Sequence, residues 1–260
     1  MTRKPFGARL VILIMKSQTA RVLFYMSFIV PALNLSADTL DAVRSRLERM
    51  SGTSAISGLV TLRVVGRSED REDEEGRTSA RINASSDGLV IRHSAAELSA
   101  VRKEARDPDP ERNRPATRAL QSIDPSEIAE MVDYAPHLLA ELEGARILKE
   151  SDVRLDGGPA RLLELELQVR LSAGARKRIR TAESTMKLWI SPDAIPLAAE
   201  QSSLAKGRFL VITFQGSRAE KRRFATSGNR LVVTRAEKHN EGSGLGQSAG
   251  ESRWTTLELD

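Results

Sequence analysis

The stretch Arg161–Leu171, RLLELELQVRL, alternates from Leu163 onward between aliphatic residues and Glu, Gln or Arg. Side chains in a β-strand point to opposite faces with a period of two, so this pattern predicts a strand with one dry and one wet face. Burying each aliphatic side chain stabilises the fold by about 1.5–3 kcal/mol. Because the polar face must stay in water, the sequence predicts an antiparallel sheet that is covered on one side only.

Similar stretches surround this strand and extend the predicted sheet. Ile179–Ile190 and Arg208–Phe214 also place aliphatic residues on one face, and Asp156–Pro159 and Ser227–Asn229 are typical of hairpin turns. About ten strands follow one another without βαβ alternation. The fold class that we predict is therefore α+β, mainly β, with one antiparallel sheet.

Three helical segments accompany the predicted strands. The first carries Leu40, Val43, Leu47 and Met50 at helical spacing, and the second follows Ser94 as its cap. The third runs from Asp124 to Gly144 and contains Pro136, which predicts a break near Tyr134–Ala135. We expect a single domain over residues 38–260, with mobile loops near 67–77, 107–115 and 240–250 because of their charge, proline or glycine content.

The positive charge of the chain is confined to its first residues. The formal net charge is +5, but residues 1–37 hold Arg3, Lys4, Arg9, Lys16 and Arg21 and no acidic residue. The remaining chain carries 35 basic and 35 acidic side chains and is neutral. Nucleic-acid binding therefore lacks compositional support.

The same residues 1–37 have the pattern of a secretory signal peptide. Lys16 and Arg21 precede the apolar run Val22–Leu33, and Leu35–Ala37 offers a small residue at the cleavage position. Met15 is an alternative start. An uncleaved anchor is the second interpretation, although a span of the bilayer needs about 20 apolar residues. We expect a periplasmic or secreted monomer.

The sequence contains no signature of a known catalytic site. Cysteine is absent, which excludes disulfides, thiol catalysis, thiolate metal sites and a cysteine-linked lipid anchor. The letters Gly-x-Ser-x-Gly occur once, at Gly246–Gly250, but in a glycine- and serine-rich segment that does not have the pattern of the strand-to-helix turn on which this motif works. His93 with Glu97 and His137 with Glu141 lack a third ligand by spacing, and His239 is expected in solvent. We therefore predict no metal and no cofactor, and keep a carboxylate-based hydrolase only as a third possibility.

Two basic triplets stand out in the neutral remainder of the chain. They are Arg176-Lys177-Arg178 and Lys221-Arg222-Arg223. Solvated hairpin tips are one interpretation, and transient contact with acidic lipid headgroups or an acidic partner is the other.

The residues on the predicted dry face are aliphatic rather than aromatic. Few aromatic residues remain after the leader, which disfavours stacking on sugars. A curved sheet whose concave face is only partly filled by helices would leave an aliphatic cavity suited to an acyl chain. An ordinary filled core explains the same residues.

One part of the sequence resembles the LolA/LolB-like periplasmic lipoprotein carriers. The resemblance rests on Met186–Asp193 (MKLWISPD), on Ile195-Pro196-Leu197 and on Lys206-Gly207-Arg208. It implies an open, strongly curved half-barrel whose concave face is covered by about three helices and which carries acyl chains. Arg63 is the nearest candidate for the arginine that latches the lid in that family.

The function that this resemblance implies is non-enzymatic carriage or binding of a lipid, an acyl chain or a lipoprotein. The cavity would be lined by Leu163, Leu165, Leu167, Val169, Met186, Leu188, Leu210 and Ile212. Leu138, Leu139 and Leu142 would form part of the lid. The alternative is an envelope scaffold or interaction protein whose sheet is filled by its own helices and which binds no lipid.

Overall fold

The computed structural model describes residues 35–68, 71–109, 114–209, 212–244 and 247–260. Residues 34–260 form one compact unit. Residues 1–34 of the predicted signal peptide, including its alternative start, lie outside the described residues, whereas the predicted cleavage position Leu35–Ala37 lies inside them.

Ten strands form one antiparallel sheet in the described part of the chain. The strands pair in the order β3-β2-β1-β10-β9-β8-β7-β6-β5-β4, so β3 and β4 are its edges and the sheet is open. This arrangement confirms the predicted mainly β, antiparallel fold class. In chain order the strands β1 to β10 are Ile56–Ser68, Arg71–Ser85, Gly88–Arg92, Arg146–Leu155, Gly158–Glu166, Ile179–Ile190, Pro196–Phe209, Ile212–Ser227, Arg230–Gly244 and Gln247–Leu259.

Six helices occur in the same described ranges, where the sequence predicted about three. The helices α1 to α6 are Leu35–Glu48, Ala95–Ala105, Pro115–Gln121, Pro125–Val132, Ala135–Glu141 and Ala173–Arg176. The predicted third helix is interrupted between α4 and α5, where the break near Tyr134 was expected. A proline in the first turn begins each of these two helices, because proline lacks the N–H that a helix interior needs.

For two of the three predicted mobile loops, 67–77 and 240–250, the predicted extent is wrong. Most of residues 67–77 belong to the paired ends of β1 and β2, and most of residues 240–250 belong to β9 and β10. Backbone hydrogen bonds between antiparallel strands do not depend on apolar side chains, so polar and glycine-rich segments continue the hairpins. Residues 69–70, 110–113 and 245–246 lie outside the described residues.

α1, α3, α4 and α5 pack on one face of the sheet, which we call the inner face. α1 packs against α5 and β4, and α4 packs against β9. One continuous cluster of buried residues joins α1, α4 and α5 to strands from both halves of the sheet. A single core therefore serves the whole sheet.

α3 approaches the β1–β2 hairpin at Gly76. A Cβ atom at this position would lie 2.7 Å from the carbonyl oxygen of Pro115 and 3.0 Å from the Cβ of Ala119. Only glycine leaves enough room for this close contact. None of the helices in the described ranges combines the length and apolar character that a membrane span requires.

Candidate functional site

Five of the residues that were predicted to line a cavity lie together on the inner face of β5 and β6. Leu163 pairs with Leu188 and Leu165 with Met186 across the two strands, and Leu167 follows β5 directly. Their side chains are only 0–7 % exposed. The alternating pattern thus placed these residues on one buried face.

The predicted lid residues belong to, or pack against, the same buried cluster as this aliphatic wall. Leu138 of α5 and Leu142 at its C-terminal cap are fully buried in the same cluster, and Leu139 packs against it. Leu40, Val43 and Leu47 of α1 complete the packing. Because these side chains fill the space above β5 and β6, the wall is part of a packed core in this conformation.

Val169 does not belong to this wall, so its predicted position is wrong. β5 ends at Glu166 rather than at Leu171, and the Val169 side chain is 38 % exposed. The chain leaves the sheet here and enters α6, where Ser172 caps the helix. Leu210 and the side chain of Ile212 lie outside the described residues.

The inner face changes from apolar to charged between β6 and β10. The row of paired residues that begins with Leu165 and Met186 continues through Gln201, Glu220, Lys238 and Arg253. Sequence reasoning missed this charged half. The signal was present in β8, where Glu220 and Arg222 share the parity of the buried Phe224.

Arg222 lies at the centre of the charged half and ties α5 to the sheet. Its guanidinium donates to both carboxylate oxygens of Glu141, at 3.0 and 3.1 Å, and its Nε donates to Glu220 at 2.8 Å. The group also lies 5.0 Å from the centre of the Tyr134 ring. Arg222 was predicted to sit with Lys221 and Arg223 at a solvated hairpin tip, and this is wrong for Arg222, whose side chain is 3 % exposed.

A second set of ion pairs ties α4 to the sheet. Glu127 accepts from Lys238 of β9, and its other oxygen accepts from Arg253 of β10 at 2.6 Å. Lys238 also lies 3.7 Å from Glu220. We call the set Glu127, Glu141, Glu220, Arg222, Lys238 and Arg253 the ionic cluster.

The ionic cluster keeps its buried carboxylates charged. Burial alone would raise the pKa of Glu220, but Arg222, Lys238 and Arg218 outweigh it and lower that pKa to about 2. Burial would also raise the pKa of Glu141, but His137 and Arg222 together outweigh this effect and lower that pKa. These groups therefore serve as permanent hydrogen-bond acceptors rather than as proton donors at neutral pH.

His137 sits at the solvent side of this cluster. Its ring nitrogens lie 3.5 Å from Glu130 and 3.5 Å from Glu141, and its ring packs on Tyr134 at 5.0 Å between centroids. Glu141 raises the pKa of His137 against the opposing effect of burial. The predicted ordinary helical pair of His137 with Glu141 is thus present, as part of a larger arrangement.

The other histidine positions carry no ligand set. Glu97 is engaged in capping α2 through Ser94 and in accepting from Ser79 of β2. His239 lies half-buried within β9 and hydrogen-bonds Ser252 at 2.9 Å, so its predicted place in a loose, solvated segment is wrong. Within the described ranges, no three His, Asp or Glu side chains lie close enough to hold a metal ion.

Arg63 pairs with a residue of a strand and not with a helix, in contrast to the lid-latching role that the resemblance suggested for it. Its guanidinium forms a bidentate pair with Glu75 of the neighbouring strand, at 2.9 and 3.0 Å, and lies over the Trp254 ring. Among the described residues, Arg222 and Arg253 are arginines that do join helices to the sheet.

An apolar groove opens beside the edge strand β4. It has a volume of about 430 Å³ and lies between the start of α1, the β4–β5 hairpin and the turn after β6. Ala42, Val153, Ala160, Ile190 and Pro192 contribute its apolar lining. A much smaller space of about 60 Å³ lies between α4, α5 and the ionic cluster, which is room for little more than water.

Comparisons with known proteins leave the family of this chain open. No family model and no curated protein matches it. Among solved structures, a LolA superfamily protein from Nitrosomonas europaea is 10 % identical over 84 % of this chain and 93 % of that chain, with a TM-score of 0.28. MucB, solved in complex with MucA(peri), is 11 % identical over 85 % of this chain and 93 % of that chain, with a TM-score of 0.18. Overlap at these TM-scores establishes neither a shared fold nor a shared function.

Proposed function

We propose that this protein is an exported, non-enzymatic binding protein of the cell envelope that docks a partner protein at its surface. The observation that carries the proposal is the filled inner face. The five wall residues on β5 and β6, or directly after β5, are at most 7 % exposed and belong to one buried cluster with Leu138 and Leu142. The leader-like residues 1–37 support export.

The edge strand β4 offers the docking site for that partner. It is ten residues long, and its outer side pairs with no other strand in the described part of the chain. Leu148, at a bulge in this strand, is 55 % exposed. An extended peptide gains affinity by adding a strand to such an edge and gains specificity from nearby side-chain pockets.

The apolar groove lies where a side chain of an added strand would need a pocket. Asp152 and Val153 belong both to β4 and to the groove lining. An aliphatic side chain of the partner would therefore enter the groove while its backbone pairs with β4. The proposed partner is a protein with an extended segment that carries aliphatic residues.

The charge state of the buried carboxylates supports a non-enzymatic role. The lowered pKa values of Glu141 and Glu220 suit ion pairing and not proton donation. Burial raises the pKa of Asp133, against the opposing charge of Arg230, but one such carboxyl does not make the pair that a carboxylate hydrolase uses.

Site-specific photo-crosslinking in cells tests the docking edge. A photoreactive phenylalanine analogue at Leu148 should give a discrete adduct with a partner protein, whereas the same analogue at Val90 on the opposite edge should give none. Val90 is a matched control because it is also a large apolar residue, 48 % exposed. Val153→Arg, which blocks the groove, should abolish the Leu148 adduct while the circular dichroism spectrum stays unchanged. Equal adducts at both edges, or none at Leu148, would contradict the proposal.

Carriage of a lipid or acyl chain is the second candidate, and the aliphatic wall under α5 favours it. The Arg222–Glu141 pair attaches α5 to the sheet, and Leu138 of α5 shares one buried cluster with the aliphatic wall, so loosening that pair would expose part of this apolar cluster. In this case Glu141→Gln should increase lipid uptake, and Glu143→Gln, which removes the exposed pair with Arg170, should not.

Native mass spectrometry with organic extraction separates the two candidates. For the filled-core binding protein we expect the mass of the polypeptide alone, before and after incubation with envelope lipids. A reproducible added mass that extraction recovers as lipid would overturn the filled-core interpretation in favour of the carrier. Loss of that mass in Leu165→Glu would count only if the variant still folds, because this side chain lies in the core.

A further inference from the structure

Two basic segments meet at one end of β6 and β7. Ile179 pairs with Gly207 and Thr181 with Lys206, and the backbone N–H of Arg208 donates to the carbonyl of Arg178 at 2.8 Å. α6 precedes β6 at this end of the sheet. The exposed cations that come together here are Arg176, Lys177, Arg178, Arg180, Lys206 and Arg208, and we call them the basic rim.

The basic rim carries an excess of positive charge in a chain that is otherwise balanced. Residues 167–182 and 204–217 contain no Asp or Glu at all. The other basic triplet behaves differently, because Lys221 faces Glu200, Arg222 is buried between carboxylates and Arg223 pairs with Asp156. The two triplets look alike in sequence, and only the first forms a concentrated positive surface.

Apolar side chains lie among these cations. Val169 is 38 % exposed, and Leu171 and Ile179 are half-buried. Cations that are mixed with aliphatic residues suit the headgroup region of an anionic bilayer, where the charges meet the headgroups and the apolar groups enter the acyl boundary.

We propose that the basic rim docks the protein on an anionic lipid surface. This inference goes beyond the binding role proposed above and does not depend on what fills the core or on the edge strand β4. Each Lys or Arg near an anionic bilayer contributes roughly a fivefold gain in affinity, so six cations suffice for reversible attachment. The attachment should weaken with salt, because mobile ions screen exposed charges.

Co-sedimentation with vesicles tests the basic rim. The full chain as isolated should bind vesicles with about one third phosphatidylglycerol in phosphatidylcholine at about 50 mM salt, and lose most binding at about 500 mM. The variant Arg176→Gln, Lys177→Gln, Arg180→Gln, Lys206→Gln should bind these vesicles at least about 100-fold more weakly. Melting curves by circular dichroism check that it folds.

A second quadruple variant removes the same charge elsewhere. Arg92→Gln, Arg102→Gln, Lys103→Gln, Arg106→Gln neutralises four exposed cations on β3, on α2 and at its C-terminal cap, and it should bind like the unmodified chain. Equal loss in both variants, equal binding to pure phosphatidylcholine, or no binding at low salt would overturn the proposal. Rim-dependent binding to polyglutamate without binding to the vesicles would also overturn it and would indicate an acidic protein partner.

Discussion

Arg222 is a buried arginine that forms ion pairs with two carboxylates, Glu141 of α5 and Glu220 of β8. Its side chain is 3 % exposed and that of Glu220 4 %, so removing the guanidinium leaves Glu141 and Glu220 buried without the cation that they share. We expect Arg222→Met to lower the free energy of unfolding by about 3–5 kcal/mol, the usual cost of breaking a buried ion pair. Urea denaturation measures this loss.

Arg223→Met is the matched control, one residue away. Arg223 pairs with Asp156 at 2.9 Å, but its side chain is 44 % exposed, and exposed ion pairs contribute only about 0–1 kcal/mol. If the two variants lost equal stability, the ionic cluster would not be the attachment that we describe.

The pH dependence of stability reports on the same residues. The pKa of Glu220 is lowered to about 2 in the folded protein, below an unfolded value of about 4.3. Its contribution is therefore complete above the unfolded pKa and is lost as the pH falls towards the folded pKa. The stability difference between the unmodified protein and Arg222→Met should shrink from pH 6 to pH 3, measured by denaturant unfolding at each pH. A difference that stays constant would contradict this assignment.

At the scale of elements, the contact of α3 with the β1–β2 hairpin depends on the missing side chain of Gly76. Gly76→Val would press on Pro115 and Ala119, and we expect a loss of about 1–3 kcal/mol, typical of overpacking. The melting temperature and the hydrogen exchange of α3 measure it. Gly174→Val is the control because no atom lies within 4 Å of the new Cβ, and it should leave both quantities nearly unchanged.

The elements also show where sequence patterns end. The alternation of Arg161–Leu171 continues past Glu166, but the strand does not, because the chain turns towards α6. Conversely, the polar residues near 67–77 and 240–250 give no apolar signal, yet they extend long hairpins through backbone pairing. Apolar periodicity reports burial of side chains, and it reports the length of a strand only indirectly.

At the scale of the whole molecule, one sheet and one core predict cooperative unfolding. Trp189 lies on β6 and Trp254 on β10, with three strands between them in the sheet. The variants Trp254→Phe and Trp189→Phe each keep one tryptophan of residues 35–260. In each variant the denaturation midpoint from tryptophan fluorescence should equal the midpoint from circular dichroism. If the fluorescence midpoints of the two variants differed while their circular dichroism transitions coincided, the two halves of the sheet would unfold as independent units.

Local sequence patterns predict the fold class, the dry face of β5 and β6 and the break between α4 and α5. Each follows from a local pattern, either alternation along a strand or a proline that cannot continue a helix. Three further properties emerge only from the folded chain: the aliphatic wall is buried, Arg222 is buried, and Lys221 and Arg223 face carboxylates. These properties depend on which distant residues the register brings together, such as Glu141 with Arg222, and no local pattern encodes that pairing.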